Sequence, residues 1–355
     1  MPFDALNRAR LVVVTGKGGT GKTTVAAAVA VAAARRGRRT LLAEVEGRQG
    51  LAALFGRQSL TYRETRLTDR VNGLAVDPEM ALRDYLGRYG FARLTRLLSW
   101  ARLTTFITAA APGLGDVLLV GKVWEAATRR QGQRRPTYDL VVLDAPPTGR
   151  VVPFLRAPET VAELARIGPL RHQADRVRDL LDDPEQTAVL LTCLPEELPV
   201  TETLEAATAL RAAELLLSAV VVGKLTENRL GGDAGRLTGL ARDPSPLAAA
   251  AKRADLELGD EALAALLAEG RDHQRQINRE RRLLKELRAG LGGLPVVELP
   301  LLDGGTLDLE AIGVLAGRLE ASELAGERGG AARPGGRPAG GDREAAAPPS
   351  ARPRS

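Results

Sequence analysis

The chain has 355 residues, of which 44% are apolar and only 3% aromatic, with a formal charge of +6 and a single cysteine; it can bury a core of Ala, Leu and Val in one large or two modest domains. One cysteine excludes an internal disulfide and a Cys-x-x-Cys zinc or redox site. No apolar run approaches the roughly 18 residues of a membrane span, and the start lacks the layout of a signal peptide, so a cytoplasmic protein with no stable membrane insertion is expected.

Leu11 to Val14 is an apolar run ending in a glycine-rich loop and reads as a buried strand. Lys22 to Arg36 reads as an Ala- and Val-rich helix closed by Gly37. Thr40 to Val45 and Leu74 to Val76 are the next strands, the latter stopping at Asp77-Pro78. Residues 79–135 look helical almost throughout, broken at Pro112-Gly113. Strands follow at Leu140–Leu143, Thr187–Thr192 and Ala219–Val222, then a mostly helical stretch, 230–290, with Ala262 to Ala289 its longest piece, and a last strand at Pro295–Leu299. Most of the strands are continuous apolar runs, as when helices cover both faces. Their alternation with helices predicts an α/β fold, a doubly wound and mainly parallel sheet. The two long helical segments read as insertions beside the sheet, forming a subdomain. Residues 1–325 are thus expected to form one domain. Residues 326–355 hold six arginines against three acids among Gly, Pro and Ala, which predicts a disordered tail. Half of the net charge, +3 of +6, sits there, leaving a nearly balanced body and arguing against nucleic acid as a partner.

The loop is Gly16-Lys17-Gly18-Gly19-Thr20-Gly21-Lys22-Thr23, followed by Thr24. It fits G-x-x-x-x-G-K-[ST] between a strand and a helix. Glycines let backbone N–H groups approach phosphate oxygens, with the positive end of the helix behind them. Lys22 is expected to reach the β- and γ-phosphates and Thr23 to place its hydroxyl on Mg²⁺. One lysine suffices for such a loop, and Lys17 is a second. By itself Lys17 could be a solvated loop residue. However, the spelling K-G-G-x-G-K-[ST] is similar to the deviant Walker A loop of ATPases that dimerise around nucleotide. That resemblance implies that Lys17 crosses the interface and stabilises charge on the partner's transferring phosphoryl group.

Three stretches, TGKGGTGKTT at Thr15–Thr24, LAVDPEMALRDYL at Leu74–Leu86 and YDLVVLDAPPTGRVVPFL at Tyr138–Leu155, resemble the arsenite-pump ATPase (ArsA-like) family, which includes the eukaryotic ATPase delivering tail-anchored membrane proteins. The resemblance runs from about Leu11 to Leu319. It looks closest to actinobacterial paralogues carrying the Val-Glu-Gly-Arg-Gln-Gly variant at Val45–Gly50. It implies a nucleotide-driven dimer that opens and closes. Asp144 to Gly149 matches the second switch, with Pro147, Thr148 and Gly149 in it and Asp144 on the Mg²⁺ shell, through water.

The chain departs from the family pattern at several points. The first switch usually has an Asp that orients the attacking water; here the aligned residue is Glu46, one methylene longer. Positioning errors near an ångström cost about a hundredfold in rate, so nucleotide binding is expected and fast hydrolysis is not. Glu44 is a possible substitute. The family's base-binding Asn is replaced within Val222-Gly223-Lys224, leaving Lys224 and the backbone around Leu299-Pro300-Leu301 as candidates for the base. The zinc cysteines and the metalloid-sensing cysteine cluster of family members are absent; Cys193 reads as an inert core thiol. Leu97, Leu98, Trp100, Phe106, Ile107 and Leu114–Val120 could line a client groove but read more simply as packing. His172 and His273 read as surface residues.

The leading expectation is a Mg²⁺-dependent ATPase acting as a dimeric switch, with Lys17, Lys22 and Glu46 catalytic and a partner or client protein as its output. An alternative is a poorly hydrolysing nucleotide-binding subunit of a hetero-dimer with a paralogue. A further alternative is a partitioning-type ATPase.

Overall fold

The structure is a computed structural model that describes residues 8–45, 47, 49–88, 114–131, 135–164, 169–229, 234–302, 304 and 307–329. In chain order the elements are β1 (Leu11–Gly16), α1 (Lys22–Arg35), β2 (Thr40–Glu44), α2 (Gly50–Leu54), β3 (Thr65–Arg66), β4 (Val71–Ala75), α3 (Pro78–Arg88), α4 (Leu114–Thr128), β5 (Arg130–Gln131), β6 (Arg135–Pro136) and β7 (Leu140–Asp144). Then come α5 (Thr148–Leu164), α6 (Pro169–Asp182), β8 (Thr187–Cys193), α7 (Glu197–Ala212), β9 (Leu217–Leu225), α8 (Ala234–Arg242), α9 (Ser245–Arg253), α10 (Asp260–Leu291), β10 (Val296–Pro300) and α11 (Leu309–Gly329).

Eight strands form one sheet in the order β10-β9-β8-β1-β7-β2-β4-β3. All pairings are parallel except that of β3 with β4. β1 lies in the middle, with Val14 opposite Asp144 on one side and Gly16 opposite Thr192 on the other. Glu44 is also level with Asp144. The carboxyl ends of β1, β2, β7 and β8 therefore share one edge, where ligands bind open α/β sheets.

Alternate side chains of each strand enter opposite cores. Leu11, Val13, Val141, Leu143, Val189 and Leu191 join one core with α4, α5, α6, α7 and α10, centred on the fully buried Phe154. Val12, Val14, Leu140, Val142, Ala188 and Leu190 join the other with α1, α2 and α11. Each such valine or leucine side chain contributes about 1.5–3 kcal/mol by leaving water. Alanines fill the buried side of α1, from Ala26 to Ala33, and let the helix lie close on the sheet. The helix ends as the sequence predicts: Gly37 is left-handed at φ 84°, its N–H reaches Ala34 O, and Arg38 N–H reaches Ala33 O, so the last carbonyls are satisfied.

Both helical segments lie on the Phe154 face. α3 packs on α4, which packs on α5 and α6, whereas α10 packs on α7 and α8. Among the described residues no helix is long and apolar enough to cross a membrane.

Several boundaries differ from the sequence expectation. β7, β8 and β9 run further, because Asp144, Cys193 and the residues around Val220 continue the ladder. β4 starts at Val71 and stops before Val76. The end of the segment expected to be helical is a small β5–β6 hairpin, and α11 runs to Gly329, into the stretch expected to be tail. The rest of that tail and residues 89–113 lie outside the described residues. His273 is half-buried rather than on the surface, although His172 is exposed.

Candidate nucleotide site

The loop after β1 is held from below by close packing. A Cβ on Gly16 would stand 2.1 Å from Thr192 Oγ1 and 2.6 Å from Thr192 O, so only glycine fits against β8. Thr20 Oγ1 donates to Lys17 O at 2.7 Å and shares a second 2.7 Å hydrogen bond with Thr192 Oγ1. Gly19 and Gly21 are left-handed, at φ 83° and 87°, a conformation glycine adopts without strain. Nothing stands within 4 Å of a Cβ built on Gly18, Gly19 or Gly21. The concave side of the loop is thus open where the first amides of α1, which have no intrahelical acceptors, point outward.

Lys22, 6% exposed, folds back to donate from Nζ to Lys17 O at 3.2 Å. Thr23 Oγ1 donates to Asp144 Oδ2 at 2.7 Å. Thr24 is half-buried at the start of α1. The second-switch stretch is tied to β1 twice, by Ala145 N–H to Val14 O at 2.9 Å and by Thr15 Oγ1 to Pro146 O at 2.7 Å. Pro147 O accepts from Arg150 N–H and Val151 N–H as α5 begins at Thr148 and Gly149. The loop, Asp144 and the start of α5 are therefore one hydrogen-bonded unit.

Glu46 lies outside the described residues. Glu44 is 2% exposed, and its two oxygens accept from Gln49 N–H at 3.0 Å and Leu51 N–H at 3.2 Å. It shapes the turn into α2 instead of facing solvent. Gln49, at φ 57°, both donates to Leu60 O and accepts from Leu60 N–H. Gly50 lies against Thr23, to which an added Cβ would come within 3.2 Å.

Lys224 (exposed, φ 58°) and Pro300 stand at the ends of β9 and β10, where Leu301 N–H reaches Leu225 O at 2.8 Å. They share the carboxyl edge with the loop but are separated from it by β8. Gly223 has open space around its Cβ position. Beside it Glu280, 3% exposed, accepts from the N–H and Oγ1 of Thr226.

Sequence reasoning missed four of these groups: Thr15, Thr192, Glu202 and Glu280. Thr192 had a usable signal, since it ends a strand expected beside β1. Glu202, whose Oε1 lies 2.6 Å from Lys17 Nζ, had none.

Cys193 is fully buried, and burial pushes its thiol up to about 11. Among the described residues no three His, Cys, Asp or Glu side chains gather as a metal cluster. Leu82, Leu114, Val117, Leu118, Trp124 and Val177 line an apolar cavity of about 470 Å³ between α3, α4, α5 and α6. Leu114, Val117 and Leu118 of the suggested groove line it, whereas Leu119 and Val120 are buried in the Phe154 core; Leu97, Leu98, Trp100, Phe106 and Ile107 lie outside the described residues.

The family model for anion-transporting ATPases matches residues 9–173 and 163–233, from just before the loop to just past β9. The chain belongs to this family. The ATPase BagA of Mycobacterium tuberculosis is 39% identical over 307 residues, covering 84% of this chain and 89% of BagA. The ATPase GET3 of Kluyveromyces lactis is 24% identical over 254 residues, 61% of this chain and 72% of GET3. A protein of Streptomyces coelicolor is 35% identical over 170 residues, 47% of this chain. The resemblance read from the three motifs is thus borne out, as is the α/β fold with its mainly parallel sheet. ATPase activity is supported at the level of the family.

Proposed function

We propose that this family member is a Mg²⁺-dependent ATPase that closes as a dimer around ATP and couples nucleotide state to a partner protein. The observation that carries the reading is the Thr23–Asp144 hydrogen bond at the mouth of an open glycine loop. A hydroxyl and a carboxylate held side by side suit the hard oxygen shell of Mg²⁺. Thr23 would hold the ion directly and Asp144 through water. When bound, Mg²⁺ neutralises charge on the β- and γ-phosphate oxygens.

The loop amides and the start of α1 cradle the phosphates. Lys22 leaves Lys17 O for the β- and γ-phosphates. Glu46 orients the attacking water, and Lys17 stabilises charge across the interface. Lys224 and the backbone at Pro300 flank the base. The ties of Thr15 and Val14 to the second switch support a mechanical route, because that switch opens α5, on which α4 packs, and α4 in turn carries α3. Changes at Asp144 would thus reach the apolar cavity, the place for a client or partner.

A second reading is favoured by Glu44. Its oxygens are already taken by Gln49 and Leu51, which leaves the lengthened Glu46 without a substitute. On this reading the chain binds ATP, hydrolyses it poorly and works beside a paralogous subunit.

The test is the solution mass by light scattering, with and without ATP and Mg²⁺, for the wild type and Lys17→Ala, together with turnover. The expected result is an ATP-dependent dimer that Lys17→Ala loses. A wild type that stays monomeric overturns the homodimer. A dimer without turnover selects the second reading.

A further inference from the structure

Lys17 Nζ lies 2.6 Å from Glu202 Oε1 of the same chain. We propose that Glu202 is a positioning residue for Lys17: it holds this lysine within its own subunit until nucleotide and a second copy draw it away. The inference rests on the dimer reading above.

Three observations carry it. First, the two partners differ in mobility. Glu202 sits on α7 between Val200 and Thr203, both buried at 2% and 5% exposure, so its backbone is fixed to the core. Its side chain is 22% exposed, whereas that of Lys17 is 55% exposed. Second, the carbonyl of Lys17 is held by Thr20 Oγ1 and Lys22 Nζ, so the rest position of the segment depends on the lysine that phosphates would recruit. Nucleotide entry removes one of those restraints. Third, Leu198, one helical turn before Glu202 on α7, is 67% exposed. An apolar side chain beside the ion pair fits a surface that a second copy would cover.

The strength of the pair suits a restraint that must open. An exposed ion pair is worth about 1.4- to 5-fold in an equilibrium constant. Closing a dimer opens two such pairs, so the restraint weakens dimerisation by about 2- to 30-fold.

The experiment uses the full chain with Glu202→Gln. In nucleotide-free protein, acylation of Lys17 by an amine-reactive ester, read by peptide mass spectrometry, should rise several-fold relative to the exposed Lys252 and Lys285. With ATP and Mg²⁺, the dimer dissociation constant from light scattering should fall by about 2- to 30-fold. In a Lys17→Ala background, Glu202→Gln should leave the association state unchanged. Unchanged Lys17 labelling, or a wild-type dimer that Glu202→Gln does not tighten, overturns the restraint alone. A wild type that never dimerises overturns the dimer reading, and the restraint with it. A fall in melting temperature together with a weaker dimer would make Glu202 structural, which overturns the proposal too.

Discussion

Thr23, in the first turn of α1, and Asp144, the last residue of β7, are 121 positions apart in sequence and joined by a 2.7 Å hydrogen bond. The bond places the two candidate magnesium-shell groups on adjacent strand–helix units. It also gives a direct test. Asp144→Asn keeps the shape but removes the charge, and the apparent Mg²⁺ affinity in the presence of ATP should fall about 10- to 100-fold. Calorimetric titration of Mg²⁺ into the ATP-bound protein measures it; an unchanged affinity would remove Asp144 from the ion's surroundings.

Gly16→Ala should destabilise the protein by about 1–3 kcal/mol, the usual range for overpacking. The added methyl would overlap Thr192 Oγ1 and its carbonyl. Thr192→Ala removes the hydroxyl and relieves only the side-chain half of the clash, so the double variant should recover part of the loss. Denaturant unfolding of the three proteins would show this.

Glu44 and Glu46 should separate by readout. Glu44→Gln turns one of its two acceptors into a donor facing a backbone N–H, and a buried group left unsatisfied costs about 1–3 kcal/mol. Its melting temperature should drop. Glu46→Gln should lose turnover while melting normally. If neither variant changes turnover, the water-orienting carboxylate lies elsewhere.

Cys193 gives a prediction in pH. Burial raises its thiol from 9.0 to about 11, so the folded state favours the neutral form. The associated stability is complete below pH 9 and is lost as pH rises through about 11. Cys193→Ala should therefore flatten the fall in stability over that window. Tyr138, pushed up to about 12 by burial and its bond to Glu64, leaves a residual slope at higher pH. In the native protein at pH 8 the thiol should resist alkylation at any rate faster than unfolding; rapid labelling would contradict its burial.

Much of this was legible in the sequence because it rests on local rules. The loop, its strand and its helix are contiguous, and the apolar runs around Val13, Val142 and Leu190 mark strands covered on both faces. Gly37 marks the end of α1 through its positive φ. The hairpin at Arg130–Pro136 was missed because its strands are two residues each, too short for any periodicity. The hydrogen bonds of Glu44 to Gln49 and Leu51 were not legible, because a carboxylate before a glycine turn looks the same whether it binds nearby backbone or faces water. Glu202 and Thr226–Glu280 were beyond reach: their partners are 185 and 54 residues away, and only the tertiary fold brings them together.

The position of β1 has a consequence for how the protein is made. Its flanking strands begin opposite Leu11 at Val141 and Thr187, both far downstream. At cellular synthesis rates, the first strand waits about 10–35 s for its second neighbour. Until β7 emerges, Leu11 to Val14, three of its four residues β-branched, has no partner strand in the sheet, and until β8 emerges one edge stays open to wrong partners. The glycine loop cannot close against Thr192 until β8 has arrived. Ability to grip phosphate is therefore acquired late, and a truncated product ending before Thr187, which lacks β8, should have neither the loop's shape nor its ligand.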